Sequence, residues 1–336
     1  MHEPSSEMAA SGPRTARALW LVAPGRAELR AETLPARGEG EALIQTQFSA
    51  FSRGTERLVF EGRVPPSEYQ RMRAPFQAGD LPFPVKYGYC NVGRVLEGPP
   101  ALCGRSVFCL YPHQTLYQVP LSALSLLPEQ LPPARAVLAA NMETALNAIW
   151  DAALSAGDRV CVVGAGVVGC LVAYLAAHHP GCEVHVVDVD ARKADVVRAL
   201  GARFASPDAI PRECDVVLHA SGAPQGMTSA LAAAGLEARI VEVSWYGAAH
   251  VSLPLGEAFH ARRLSIVSSQ VGRLPSRHAP RWSHARRMAV ALDLLADPTL
   301  DVLFSGDSRF DEAAEALAML SASAQPELCH RLVYDP

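Results

Sequence analysis

The 336-residue chain has no apolar stretch long enough to cross a bilayer. Its longest runs, such as Val160–Val163 and Leu171–Ala177, are broken by Gly or polar residues well short of the roughly 20 apolar residues a spanning helix needs. No membrane role is expected. Glu3 and Glu7 stand where a secretory signal would be cationic and no apolar segment follows, so residues 1–14 read as a tail and a cytoplasmic location is expected. Charge of one sign is missing as well. Thirty Lys and Arg against 34 Asp and Glu leave a net charge of −4, which argues against a dedicated nucleic-acid binder and leaves a small-molecule substrate as the expected partner. There is no internal repeat and no low-complexity linker. With 49% hydrophobic and 19% charged residues the chain has the balance of a globular protein with a large core, and its length suggests two domains. Eight cysteines and eleven histidines would suffice for zinc sites or a disulfide framework, so their positions decide. In a reducing cytosol the cysteines are expected to be free thiols or metal ligands.

From about Thr15 to Pro120 short runs such as A-L-W-L-V-A, A-L-I-Q-T-Q-F-S-A and V-G-R-V-L-E, punctuated by Gly and Pro, predict a β-rich lobe. Around Pro132–Ala153 an Ala- and Leu-rich helical pattern marks the crossing into a second domain. From Asp158 to about Ser268 apolar strands alternate with helices, predicted over Val168–Ala177, Ala191–Leu200 and Met227–Ala234. This is the mark of a parallel sheet covered on both faces. Two further helices, His284–Leu295 and Asp311–Ser321, and a terminal strand H-R-L-V-Y complete the chain.

The most specific motif is G-A-G-V-V-G, with Gly164, Gly166 and Gly169 between the strand Arg159–Val163 and a helix. Gly164 permits a tight turn, Gly166 lets the backbone approach a pyrophosphate, and Gly169 lets helix and strand pack closely. Val167 and Val168, at the helix N-terminus, would face the phosphates. The next strand ends in Asp188, 19 residues beyond Gly169, where a carboxylate can accept the adenosine ribose hydroxyls. Such a carboxylate repels a 2′-phosphate, so NAD(H) is preferred. Arg192 and Lys193 follow closely and keep NADP(H) open. Ser221, after the next strand, is a further cofactor candidate. Hydride chemistry is the expected activity.

The order of parts, a β-rich lobe, a central dinucleotide unit and a return to the first lobe, resembles the medium-chain dehydrogenase/reductase superfamily, the alcohol dehydrogenase-like proteins. The resemblance rests on A-L-W-L-V-A-P-G-R-A-E-L-R, on E-A-L-I-Q-T-Q-F-S-A-F-S-R-G-T-E, on Y-G-Y-C-N-V-G-R-V, on the glycine fingerprint and on F-D-E-A-A-E-A-L, from roughly Arg17 to Tyr334. It implies an α/β fold with a GroES-like β-rich catalytic domain (15–132 and 271–336) and a Rossmann doubly wound parallel sheet (133–270). It also implies a homodimer joined at the Rossmann sheet edges, with Leu264–Ser268 as the edge strand, and places Thr144 and Ser269 near the nicotinamide.

The zinc ligands of such enzymes are missing here. Where a Cys precedes a Gly-Thr-Asp-like turn this chain has Ser52-Arg53-Gly54-Thr55-Glu56, and where Gly-His-Glu stands it has Gly88-Tyr89-Cys90. The helix expected to give the third ligand offers Asn141 and Glu143. A catalytic zinc takes three ligands of Cys, His or carboxylate type, and Cys90 and Glu143 alone are too few. Cys103 and Cys109 are too few for a structural zinc, and Cys161, Cys170, Cys182, Cys214 and Cys329 lie in strand-like or apolar contexts. The segments S-R-G-T-E and K-Y-G-Y-C-N-V-G-R-V look most like the zinc-lacking branch that includes bacteriochlorophyllide hydroxyethyl dehydrogenase. No zinc is expected.

Ketone reduction without a metal needs a donor where the oxyanion develops. Tyr89 occupies a lost ligand position, with Arg53 and Lys86 as nearby cations that could lower its pKa; the alternative is a tyrosine in the barrel wall. His113 could relay a proton or be structural. Glu143 is expected to face the cleft, or else to be solvated or paired with Arg53. The stretch Arg262–Arg287, which includes Arg263, Arg273, Arg277, Arg281 and Arg286 with His278, Trp282 and His284, reads as a solvated face. Its sharper reading is a cationic rim for an anionic, ring-bearing substrate stacking on Trp282. The expected activity is thus zinc-independent oxidation of a secondary alcohol or reduction of a ketone. A quinone or enone reductase and a non-catalytic NAD-binding protein are the alternatives.

Overall fold

A computed structural model describes residues 14–323 and 327–335. The tail expected over 1–14 therefore falls outside the described residues, except that Arg14 already opens the first strand. The first lobe holds β1 (Arg14–Ala23), β2 (Arg26–Leu34), β3 (Glu41–Ala50), a short helix α1 (Thr55–Phe60), β4 (Ala78–Gly79), β5 (Val85–Lys86), β6 (Asn91–Glu97), β7 (Ser106–Cys109), β8 (Leu116–Pro120) and β9 (Ser125–Leu126). Two helices, α2 (Pro133–Ala136) and α3 (Ala139–Ala152), lead out of it. The second lobe runs β10 (Arg159–Val163), α4 (Val167–Ala177), β11 (Glu183–Val187), α5 (Ala194–Ala199), β12 (Arg203–Ala205), β13 (Cys214–His219), α6 (Pro224–Ala233), β14 (Ala234–Glu242) and β15 (Ser265–Ser268). Helix α7 (His284–Leu294), β16 (Phe304–Arg309), α8 (Ala313–Ala322) and β17 (Cys329–Val333) return the chain to the first lobe.

The second lobe is one parallel sheet of six strands in the order β12-β11-β10-β13-β14-β15, the doubly wound arrangement whose switch point lies between β10 and β13. Its strands are short and apolar, and four of the five residues of β10 are buried because helices cover both faces. The expected edge strand is found as β15, paired on one side only, with β14. In the first lobe β3 is the hub of a sheet ordered β16-β17-β3-β6-β7-β9, with β8 also on β3, while β2-β1-β5-β4 form a second sheet. Cys109 is buried in β7, whereas Cys103 lies exposed in the turn before that strand.

Helix α3 joins the two lobes. A single apolar core runs from Ala50, Cys90, Val92 and Phe108 of the first lobe through Ala145, Ala148 and Ala152 of α3 to Val160, Leu171 and Leu218 of the second. Helix α7 packs mainly on α3 and also touches β9 of the β-rich lobe. Met288, Ala291 and Leu292 of α7 join the apolar core, and beside them lies a polar cluster: Arg287, 1% exposed, donates through Nε to Glu143 at 3.0 Å, through Nη1 to Asn147 Oδ1 at 2.5 Å and through Nη2 to the Val271 carbonyl at 2.6 Å. Burial pushes the Glu143 carboxyl above its ordinary value, against the pull of Arg287. Glu143→Leu strands a buried guanidinium and is expected to lower stability by about 3–5 kcal/mol. In urea unfolding, Glu143→Leu combined with Arg287→Met should regain most of that loss; no recovery would mean that the pair is not the coupled unit.

Candidate functional site between the two lobes

The glycine loop has the geometry its sequence demands. Gly164 has φ +107°, and a Cβ there would lie 2.7 Å from the Ser221 backbone; a Cβ on Gly169 would lie 1.9 Å from the Gly164 carbonyl oxygen. Gly166 is the N-cap of α4, no side chain caps its free N–H groups, and nothing stands within 4 Å of where its Cβ would be. The result is an open, donor-lined cradle of the size and polarity a pyrophosphate needs. Asp188 follows β11. Its Oδ2 accepts from the Ala165 N–H at 2.6 Å and from Lys193 Nζ at 3.1 Å, and its Oδ1 accepts from the Asp190 N–H at 2.9 Å. The carboxylate is thereby locked beside the glycine loop, where ribose hydroxyls would be read.

A cleft of about 350 Å³ lies between the lobes. From the second lobe it is lined by Gly166, Val167, Val168, Lys193 and Ser221, from α3 by Asn141 and Thr144, and from the first lobe by Ser52, Arg53, Arg57 and Tyr89. Tyr89 hydrogen-bonds Ser52, yet burial and the nearby Glu56 carboxylate raise its phenol well above the usual value. The expected lowering by a cation does not occur. Lys86 is buried elsewhere, donating to Glu32 at 2.7 Å and Gln114 at 2.6 Å, and the Arg53 guanidinium donates to the carbonyls of Glu327, Leu320 and Ser323.

Of the residues that the resemblance sets at zinc-ligand positions, Arg53, Tyr89 and Asn141 line the cleft and Glu143 does not; the Cys90 thiol contacts Asn141 Oδ1 at 3.8 Å and is itself raised well above its ordinary value by burial. Among the described residues no three His, Cys, Asp or Glu side chains are grouped to hold a metal. An arginine, a phenol, a neutral thiol and an amide do not make a zinc donor set.

Several expected site residues lie elsewhere. Glu143 faces α7, because on a helix it projects about 100° away from Thr144 and about 200° from Asn141. His113 is fully buried behind the cleft, Nε2 at 2.8 Å from Glu56 and Nδ1 at 2.8 Å from Ser49 Oγ. Ser269 meets Asn147 at 3.2 Å and is not in the cleft lining. Arg192 pairs with Asp190 on the surface, and only Lys193 of the two reaches the cleft. The rim expected from Arg277, Arg281 and Trp282 is likewise absent from the lining: Trp282 packs with Trp150 and His278 beside α3, under the Arg286 guanidinium at 3.9 Å. The solvated-face reading misses Arg287, which is buried.

One polar cluster was not anticipated. His219, at the end of β13, and Glu242, at the end of β14, are register partners, and both touch the polar groups behind Ser221. A histidine and a glutamate closing two otherwise apolar strands are the sequence signal for it.

No protein-family model matches the chain. Among curated proteins, D-guloside 3-dehydrogenase of Escherichia coli (strain K12) is 27% identical over 298 residues, 78% of this chain and 83% of that protein. An uncharacterized zinc-type alcohol dehydrogenase-like protein of Haemophilus influenzae is 24% identical over 265 residues, 68% of this chain and 76% of that protein. Among solved structures, L-idonate 5-dehydrogenase from Escherichia coli superposes with a TM-score of 0.78 at 17% identity, over 96% of this chain and 99% of that one. A zinc-binding dehydrogenase from Sinorhizobium meliloti, bound to NADP, superposes with a TM-score of 0.76 at 17% identity, over 95% and 99%. The architecture is therefore the two-lobed one of the medium-chain alcohol dehydrogenases, GroES-like plus Rossmann.

The glycine geometry separates two substitutions. Gly166→Ala has room and should fold like the parent while binding NADH at least about tenfold more weakly, a loss of about 1.4 kcal/mol. Gly169→Ala should lower the melting temperature as well. Thermal melts with NADH fluorescence titrations check both, and equal melting temperatures for the two variants would contradict the packing argument.

Proposed function

We propose that the chain is an NAD(P)-dependent oxidoreductase of the medium-chain dehydrogenase type, as its similarity to named dehydrogenases supports, and that it interconverts a secondary alcohol and a ketone without zinc, preferring NAD(H). The observation that carries this reading is Tyr89: a protonated phenol stands in the cleft at the position of a lost metal ligand. Gly166, Val167 and Val168 would hold the pyrophosphate and Asp188 the adenosine ribose. When bound, the nicotinamide supplies or accepts the hydride. The protein must stabilise the charge that develops on the substrate oxygen, and a neutral O–H aimed into a partly closed cleft does so by hydrogen bonding. Because its pKa is raised, Tyr89 keeps its proton throughout the neutral and mildly alkaline range.

The Asp188 carboxylate, fixed by Ala165 and Lys193, disfavours a 2′-phosphate and supports NAD(H) over NADP(H). A ring-bearing substrate, anionic or rich in hydroxyls, is supported by Arg53 and Arg57 in the lining and by the sugar named for the Escherichia coli relative. The loss of zinc ligands also supports a place near the zinc-lacking, bacteriochlorophyllide-type branch. The unpaired side of β15, with Ile266 and Val267 half-buried, supports a dimer joined edge to edge.

Tyr89→Phe should lower kcat about 10²-fold, as loss of one oxyanion donor does, with NADH affinity within about twofold of the parent and NADH bound more tightly than NADPH. In the parent, the kcat profile should show no loss from Tyr89 up to at least pH 10, since the raised pKa keeps the donor protonated. Unchanged turnover in the variant, or stoichiometric zinc by elemental analysis of active protein, would overturn the mechanism. Light scattering on a sizing column should give twice the 35.9 kDa chain mass; a single-chain mass would remove the dimer.

A further inference from the structure

Behind the Rossmann wall of the cleft three side chains stand in line. Ser221 Oγ is 2.6 Å from His219 Nε2, and His219 Nδ1 is 2.9 and 2.8 Å from the two Glu242 oxygens. The Glu242 carboxylate also accepts from the Tyr246 hydroxyl and from the Ser244 N–H, at 2.8 and 2.7 Å. Burial alone would raise this carboxyl; the hydrogen bond and charge of His219, with the Tyr246 and Ser244 hydrogen bonds, outweigh it and leave it below its ordinary value. His219 is fully buried, whereas Ser221 is exposed to the cleft. The space around the pair is fitted: a Cβ on Gly226 of α6 would lie 2.2 Å from Ser221 Oγ and 2.5 Å from His219 Nε2.

The hydrogen-bond valences can be counted. A carboxylate only accepts, so its partners assign a His219 proton to Nδ1, and whenever the ring is neutral Nε2 presents a lone pair. Ser221 therefore donates its O–H inward. The Ala223 N–H, at 3.2 Å, takes one of its two lone pairs. One lone pair remains for the cleft, and no proton does. Protonating Nε2 reverses this: the ring then donates to Ser221, whose own O–H must turn outward.

We propose that Ser221, positioned by His219 and Glu242, is an obligate hydrogen-bond acceptor for a ribose hydroxyl of the bound dinucleotide, so that cofactor binding is linked to deprotonation of His219. The class of group follows from the surroundings. Ser221 abuts Gly164 of the pyrophosphate cradle, so its neighbour is the cofactor, and among the cofactor's polar groups near that cradle only a sugar hydroxyl offers a proton; a phosphate oxygen would meet a lone pair. The inference rests on the nicotinamide-dependent reading above. The polar groups that meet His219 are Glu242, Tyr246, Ser221 and Ser244, and Gly226 of α6 lies against it. Lys193 on the same lobe and Arg53, Arg57 and Glu327 on the other share the cleft.

The test is calorimetric titration with NADH between pH 5.5 and 9 in buffers of different ionisation enthalpy, alongside histidine ring NMR. NADH should bind more weakly as pH falls, by up to about tenfold per pH unit, the slope of one linked proton. Binding should release that proton and shift the His219 resonance. Ser221→Ala, which leaves every charged group in place, should fold normally and lose the linkage. His219→Gln, if it folds, should lose it too. Affinity that is flat with pH, that rises in acid as a phosphate partner would require, or that keeps its slope in Ser221→Ala overturns the proposal while leaving the oxidoreductase reading intact. Failure to bind either NADH or NADPH overturns both.

Discussion

The contact between Gly169 and the Gly164 carbonyl sets the rest of the site. With 1.9 Å between that oxygen and the place of a Cβ, α4 can press against the turn after β10 only where no side chain exists, and this contact aims the helix N-terminus into the cleft. The same turn leaves 2.7 Å between the Gly164 Cβ position and Ser221. The end of β13 is thus drawn up against the cradle, and the polar groups behind Ser221 come with it. Asp188, bonded to the Ala165 N–H, holds the loop from the other side. Three separate strands therefore meet at one turn because two residues lack side chains.

On the facing lobe the governing feature is how charge is handled. The wall of the cleft holds a phenol, with a thiol next to it in sequence, both kept neutral by burial, beside an arginine whose guanidinium is held by backbone carbonyls. Around the phenol and the thiol, negative charge would meet dipoles, with the positive charge of this wall carried by Arg53 and Arg57. The Glu56 carboxylate lies behind it, paired with His113, and disfavours any second anion there.

How far the sequence could be read depended on the distance over which each residue's environment is built. The doubly wound sheet, the edge strand and the cradle are products of local pattern, and helix α4 lies within one residue of its predicted start because the glycine motif marks it. Asp188 and Tyr89 were legible for the same reason, each sitting beside a motif. Glu143 was not. Its facing is decided by Arg287, 144 residues away, and a helical step of one residue is enough to turn a side chain from cleft to interior. His219 and Glu242 meet through strand register, which no local pattern reports, and the aromatic packing of Trp282 on Trp150 again joins distant segments.

Helix α3 belongs to both lobes, since one apolar core passes through it without interruption. The lobes have no solvent-filled hinge to bend about at that point. Relative movement requires the small alanine side chains of α3 to slide over their neighbours, which is shear, and shear between packed helices is limited to small displacements. At α3, accordingly, the spacing of the two lobes is set by side-chain packing and not by the length of a linker.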